Sequence, residues 1–131
     1  MARLIPITDL AGDAALFRLS ETGLRHFFEP EEGLFIAESP LVIGRALDAG
    51  YVPYAMLLDE REVQGNALLS RVGDIPVYTA PERLLRIMTG FPLVRGALCA
   101  MRRRACPAPE KLCRNARRIA VLENVVNPTN V

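Results

Sequence analysis

Gly33-Leu34-Phe35-Ile36-Ala37-Glu38-Ser39-Pro40 is the stretch from which the fold can be read. A short apolar run suited to a strand ends at a serine able to cap a helix, and proline stands at the first helical position. Val42, Ile43, Ala46, Leu47 and Ala49 then recur at helical spacing, and Gly50 is placed to close the helix in the left-handed conformation. The same strand-then-helix unit is repeated downstream. Residues 52–58 read as a second strand, and residues 59–71 as a second helix interrupted by Gly65 and Asn66. Ile75-Pro76-Val77-Tyr78 reads as a third strand whose proline suggests a position near a sheet edge. Thr79-Ala80-Pro81-Glu82 has capping-box spacing, Leu84, Leu85 and Met88 supply an apolar helical face, and Gly90 is its stop. Residues 95–101 form a fourth strand of small apolar residues. Strands and helices in alternation predict an α/β layered domain with a parallel or mixed sheet.

Outward from this core the signals weaken. Residues 9–28 carry apolar residues at helical spacing broken near Ser20 and Gly23, which predicts two short helices. Residues 102–117, with Pro107 and Pro109, read as a basic linker. Ile119, Ala120, Val121 and Leu122 read as a buried strand leading into an Asn/Pro-rich loop. A parallel strand needs a crossover to its neighbour. Residues 118–131 are therefore expected to open a further domain whose remainder is absent, after a first domain at residues 1–101.

Composition narrows the class. The 131 residues are 50% apolar and 24% charged, with no Trp, so one soluble core built from Leu, Val, Ile and Ala is expected. No apolar stretch approaches the roughly 20 residues that span a bilayer, and the N-terminus lacks a secretory pattern, so a cytoplasmic location is expected. Cys99, Cys106 and Cys113 have no paired spacing, which argues for reduced thiols and against a metal site. The net charge of +1 hides an asymmetry: residues 1–101 hold nine arginines against thirteen acids, whereas residues 102–118 hold six arginines and one lysine against Glu110 alone.

Three stretches together resemble the SpoU family of RNA 2′-O-ribose methyltransferases, within the SPOUT superfamily. They are Leu34-Phe35-Ile36-Ala37-Glu38-Ser39 with its following helix, Thr89-Gly90-Phe91 through Arg95-Gly96-Ala97-Leu98, and the closing Asn124-Val125-Val126-Asn127-Pro128-Thr129-Asn130-Val131. The last is similar to the family's Asn-x-x-Asn-Pro-x-Asn-Val motif. The resemblance implies a three-layer α/β/α substrate-binding domain like that of kink-turn-binding ribosomal proteins. A linker and the first strand of a trefoil-knot domain would follow it. It further implies structured rRNA or tRNA as partner, S-adenosylmethionine as the parent protein's cofactor, and a homodimer formed through the knot. One departure is Ser39, where the family commonly has glycine; a capping role is expected for it.

Ribose methylation needs a held RNA, an activated hydroxyl and an aligned donor. Asn130 is the one position matching a family active-site residue, and its partners are absent, so neither donor binding nor methyl transfer is expected of these 131 residues alone. RNA contact is the remaining role. Arg102, Arg103, Arg104, Lys111, Arg114, Arg117 and Arg118 are the expected phosphate partners, with Arg18, Arg25, Arg45 and Arg95 secondary. His26 and Glu38 are expected to be structural, and Tyr51, Tyr54 and Tyr78 to pack at strand ends. The rival readings are a stand-alone, non-catalytic RNA-binding module and a protein-interaction domain with no RNA role.

Overall fold

Five short strands form one mixed sheet in a computed structural model that describes residues 2–9, 12–27, 33–89 and 96–123. They are β1 (Arg3–Pro6), β2 (Leu34–Glu38), β3 (Pro53–Asp59), β4 (Pro76–Ala80) and β5 (Ala97–Arg102), in the spatial order β1-β4-β3-β5-β2. β1, β4 and β3 run parallel, while β5 is antiparallel to both β3 and β2. The helices are α1 (Glu21–Arg25), α2 (Pro40–Asp48), α3 (Leu68–Arg71), α4 (Glu82–Thr89) and α5 (Pro109–Cys113), joined by 3-10 turns at Gly12–Arg18 and Glu60–Glu62.

Period-two alternation along the strands divides the core between the two sheet faces. Leu34, Leu57, Leu98 and Ala100 point to one face, where Phe17, Leu24 and Leu85 cover them. Met56, Leu58, Cys99 and Met101 point to the other, beneath Ile43 and Ala46 of α2 and Leu68 of α3. The α/β/α layering expected from the sequence is present.

β4 lies one strand in from the edge, between β1 and β3, and Pro76 is tolerated because it is the first residue of the strand. The edge beyond it is β1, a four-residue strand without a sequence signal of its own. Several expectations are corrected. Thr79 and Ala80 belong to β4 and not to a helix cap, so α4 begins at Glu82. The helix expected over residues 59–71 breaks into the 3-10 turn and α3, with Gly65 at φ +72° between them. The stretch expected as a linker contains α5. Residues 119–122 form no strand, and Val121 is 83% exposed. A strand holds its shape only through a partner ladder, and none reaches this segment among the described residues. The closing motif, including Asn130, and Arg95 lie outside the described residues, as does Gly90.

Ser39 caps α2 as expected, its Oγ accepting from the Val42 amide at 3.5 Å. Its backbone, however, sits at φ +79°, ψ 150°, a region that strongly favours glycine. The conformation is imposed from both sides, since the Ser39 amide donates to Ala97 O and its carbonyl accepts from Ile43 N. Strain of this kind costs about 1–3 kcal/mol, and replacing an N-cap serine by glycine loses only a few tenths. Ser39→Gly is therefore expected to stabilise the domain by about 1 kcal/mol, a rise in melting temperature of roughly 4–8 °C. A calorimetric scan checks it; a lower melting temperature refutes the strain.

Candidate nucleic-acid interface

The chain leaves β5 through Arg102, Arg103 and Arg104, and the sheet holds this exit on both sides. The Arg102 amide donates to Val52 O ahead of β3, and the Arg103 amide to Gly33 O ahead of β2, each at 2.9 Å. Each guanidinium then lies over an aromatic ring. Arg102 is 5.3 Å from the Tyr54 centroid, Arg103 5.9 Å from Phe35 and Arg104 4.4 Å from Tyr51. Such contacts are worth about 0.5–1 kcal/mol each at exposed sites, enough to bias long side chains toward one geometry.

Local structure explains each ring's place. The ladder between β3 and β5 shifts register between Pro53 and Ala55, leaving Tyr54 as the inserted residue. A bulge of this kind re-aims a side chain, and Tyr54 stacks edge-on against Phe27 beneath Arg102. Helix α2 ends with Gly50 at φ +76°, its amide bonded to Leu47 O and that of Tyr51 to Ala46 O. This paired closure directs Tyr51 onto Phe35, with ring centroids 5.1 Å apart. Arg104 completes the helix end by donating from Nη2 to Ala49 O at 2.5 Å, a cation on a carbonyl of the helix C-terminus. Arg103 Nε donates to Leu34 O at 2.8 Å.

A groove of about 450 Å³ lies beside this ridge, lined by Arg25, Phe35, Tyr51, Arg103, Arg104 and Pro107 among others. No acidic side chain is among its described lining residues.

The opposite end of the sheet has the reverse charge. Glu38 ends β2, Asp59 ends β3, and Glu60, Glu62 and Glu82 follow nearby. Asp59 is 4% exposed and accepts from Arg61 three times, from Nε at 3.0 Å, Nη2 at 2.6 Å and the amide at 2.9 Å. Arg61 also reaches Glu82 at 2.9 Å, tying the end of β3 to α4. The hydrogen bonds from Arg61 hold the Asp59 carboxyl below its ordinary pKa, outweighing burial, which acts the other way. A depressed aspartate pKa stabilises the fold above about pH 3.9, and that contribution is lost as pH falls through the lowered value. Asp59→Asn is accordingly expected to lower the melting temperature at pH 7 and to make the decline below pH 4 shallower than in the parent. Melts across the acid range read both effects; an unchanged acid limb counts against this clasp.

Of the expected RNA contacts, Arg25, Arg103 and Arg104 line one groove, while Arg102 lies at the same end of the sheet over Tyr54, which packs against the other core cluster. Arg25 ends α1 and lines the groove. Lys111 is in α5, and Arg114, Arg117 and Arg118 follow it, all exposed. Arg18 ends the first 3-10 turn and Arg45 lies on the exposed side of α2; neither lines the groove. The sequence reading missed the aromatic half of the site. Tyr51 and Tyr54 do pack at strand ends, but as platforms for arginines.

The same arrangement of strands occurs in known proteins. Over 79% of this chain and 38% of the other, the fold matches an AdoMet-bound rRNA methyltransferase from Sinorhizobium meliloti with a TM-score of 0.55 at 19% identity. A second rRNA methyltransferase structure from that organism matches 81% of this chain and 39% of the other, with a TM-score of 0.51 at 16% identity. Sequence points the same way. The chain is similar to bacterial tRNA/rRNA methyltransferases. It is 36% identical over 101 residues to an uncharacterized tRNA/rRNA methyltransferase of Mycobacterium bovis, covering 76% of this chain and 35% of that protein. A Mycobacterium tuberculosis relative of the same description is 35% identical over 101 residues. The chain thus spans about a third of the length of the curated relatives it matches. No protein-family model matches it.

The fit to S-adenosylmethionine can be judged from the groove. Arg25, Arg103 and Arg104 would repel a sulfonium cation there. This groove therefore does not suit the donor's cationic centre. Among the described residues no three His, Cys, Asp or Glu are grouped to hold a metal ion, and no helix is long and apolar enough to cross a membrane.

Proposed function

We propose that this chain is the RNA-recognition part of an S-adenosylmethionine-dependent RNA 2′-O-ribose methyltransferase acting on rRNA or tRNA. The observation that carries the reading is 36% identity over 101 residues to proteins described as tRNA/rRNA methyltransferases. The ridge of anchored arginines supports it, because phosphate contacts supply most sequence-independent affinity for RNA. On this reading the donor site and the catalytic asparagine, Asn130 by resemblance, belong to the knotted part of the whole protein. That protein works in the cytoplasm as a homodimer, with residues 118–131 leading into the knot.

The seven cations from Arg102 to Arg118 set a measurable expectation. Fluorescence anisotropy of the 131-residue chain with a structured RNA hairpin should give a plot of log K against log salt with a slope of roughly −4 to −6. Binding that ignores salt, or no binding at low salt, refutes RNA recognition. Loss of ribose methylation when the whole gene is deleted, read by reverse-transcription stops, tests the activity assigned to the parent.

A further inference from the structure

We infer that the groove beside Tyr51 and Arg104 receives one unpaired nucleotide, its base stacked on the Arg104 guanidinium and its phosphate held by Arg25 and Arg103. This rests on the RNA-recognition reading and names the element of RNA that this surface reads.

Shape, charge and preorganisation support the assignment. At about 450 Å³ the groove falls at the small-ligand end of the usual pocket range of about 300–1,000 Å³, a size suited to one nucleotide and too small for a duplex. Three arginines and no acid among the described lining residues match a phosphodiester. The stacking surface already exists. The guanidinium of Arg104 lies 4.4 Å from the Tyr51 centroid, and its Nη2 is bonded to Ala49 O. Tyr51 is in turn braced by Phe35 at 81°. Arg104 itself is exposed, so one side of a planar cation is held while the residue remains open to solvent. Unpaired bases stack on guanidinium planes as well as on aromatic rings. Holding that plane in place beforehand reduces the ordering cost of binding.

The cysteines supply an internal probe. Cys106 lines the groove, Cys113 lies in α5 away from it, and both are exposed. Cys99 is buried, its thiol pushed up to about 12 by desolvation, and serves as the unreactive reference. Alkylation by N-ethylmaleimide, read by mass spectrometry, is followed with two RNA hairpins at saturation, one fully paired and one carrying a single-nucleotide bulge. The bulged hairpin should slow alkylation of Cys106 at least fivefold more than the paired hairpin does, while Cys113, between Lys111 and Arg114, should react alike with either. Arg104→Lys keeps the charge but removes the plane, and should weaken the bulged hairpin by about tenfold with little change for the paired one.

Equal protection of Cys106 by both hairpins would overturn the nucleotide site while leaving RNA recognition standing. If neither hairpin binds, both readings fall. Protection by a polyglutamate peptide, with none from RNA, would reassign the groove to an acidic protein segment.

Discussion

Replacing Arg102, Arg103 and Arg104 together by alanine is expected to weaken RNA binding by roughly 50- to 200-fold at about 0.15 M salt. Each lost phosphate contact removes about 0.7 to 0.9 from the slope of log K against log salt, so the triple variant should also flatten that slope by about 2 to 3. The two readouts must move together. A fall in affinity with an unchanged slope would mean that these arginines support the fold and touch no phosphate.

That alternative has to be separated because Arg103 and Arg104 also donate to Leu34 O and Ala49 O. The triple lysine variant makes the distinction. It keeps three cations but loses the planar fork and most of the stacking on Tyr54, Phe35 and Tyr51. On a fully paired hairpin it should retain the salt slope of the parent while binding a few-fold more weakly. Thermal melts of both variants exclude unfolding as the cause.

Gly33→Ala is expected to produce the largest loss of stability, about 3 kcal/mol or more. A β-carbon at this position would overlap the backbone carbonyl oxygens of Leu24 and Arg25. Backbone at the end of α1 cannot swing aside as a side chain can, so either α1 or the start of β2 must move. Leu24 is 4% exposed and Leu34 is fully buried, and both belong to one core, so either movement opens that core. The melting temperature should fall by roughly 15 °C. Gly65→Ala is the matched control: φ is +72° but nothing lies within 4 Å, so backbone strain of about 1–2 kcal/mol is all it should lose. Equal effects at the two glycines would contradict the close packing of α1 on β2. The variant also reports on the interface, because Gly33 O accepts from the Arg103 amide and a shifted β2 would displace the ridge.

How far the sequence could be read depended on the range of the interaction. The strand readings at residues 33–38, 52–58 and 95–101 fall on β2, β3 and β5 because apolar runs bounded by turn and cap residues are local signals. Helix α2 was legible from Pro40 to its stop, since cap, apolar spacing and Gly50 all lie within one short segment. The concentration of positive charge after β5 was likewise visible as composition. Where the reading failed, a distant partner decided the structure. β1 exists because β4 offers an open edge more than seventy residues away, pairing Arg3 with Pro76. Pro76 marked a place near the edge, but the neighbour that makes its strand internal cannot be inferred from nearby residues. At residues 119–122 an apolar run promised a strand, and among the described residues no partner strand meets it.

The candidate site divides in the same way. Its arginines were identified from the sequence, but Phe35, Tyr51 and Tyr54 come from different elements and meet the arginines only when the sheet forms. By itself, the sequence determined the α/β alternation, the capped helix α2 and the charge imbalance, because each is carried by neighbouring residues and backbone preference. Tertiary structure alone decided the strand order, the positive φ at Ser39, the close approach at Gly33 and the conversion of a basic run into a braced ridge. Those features depend on groups far apart in the chain, and the free energy that sets them appears only once the core has packed.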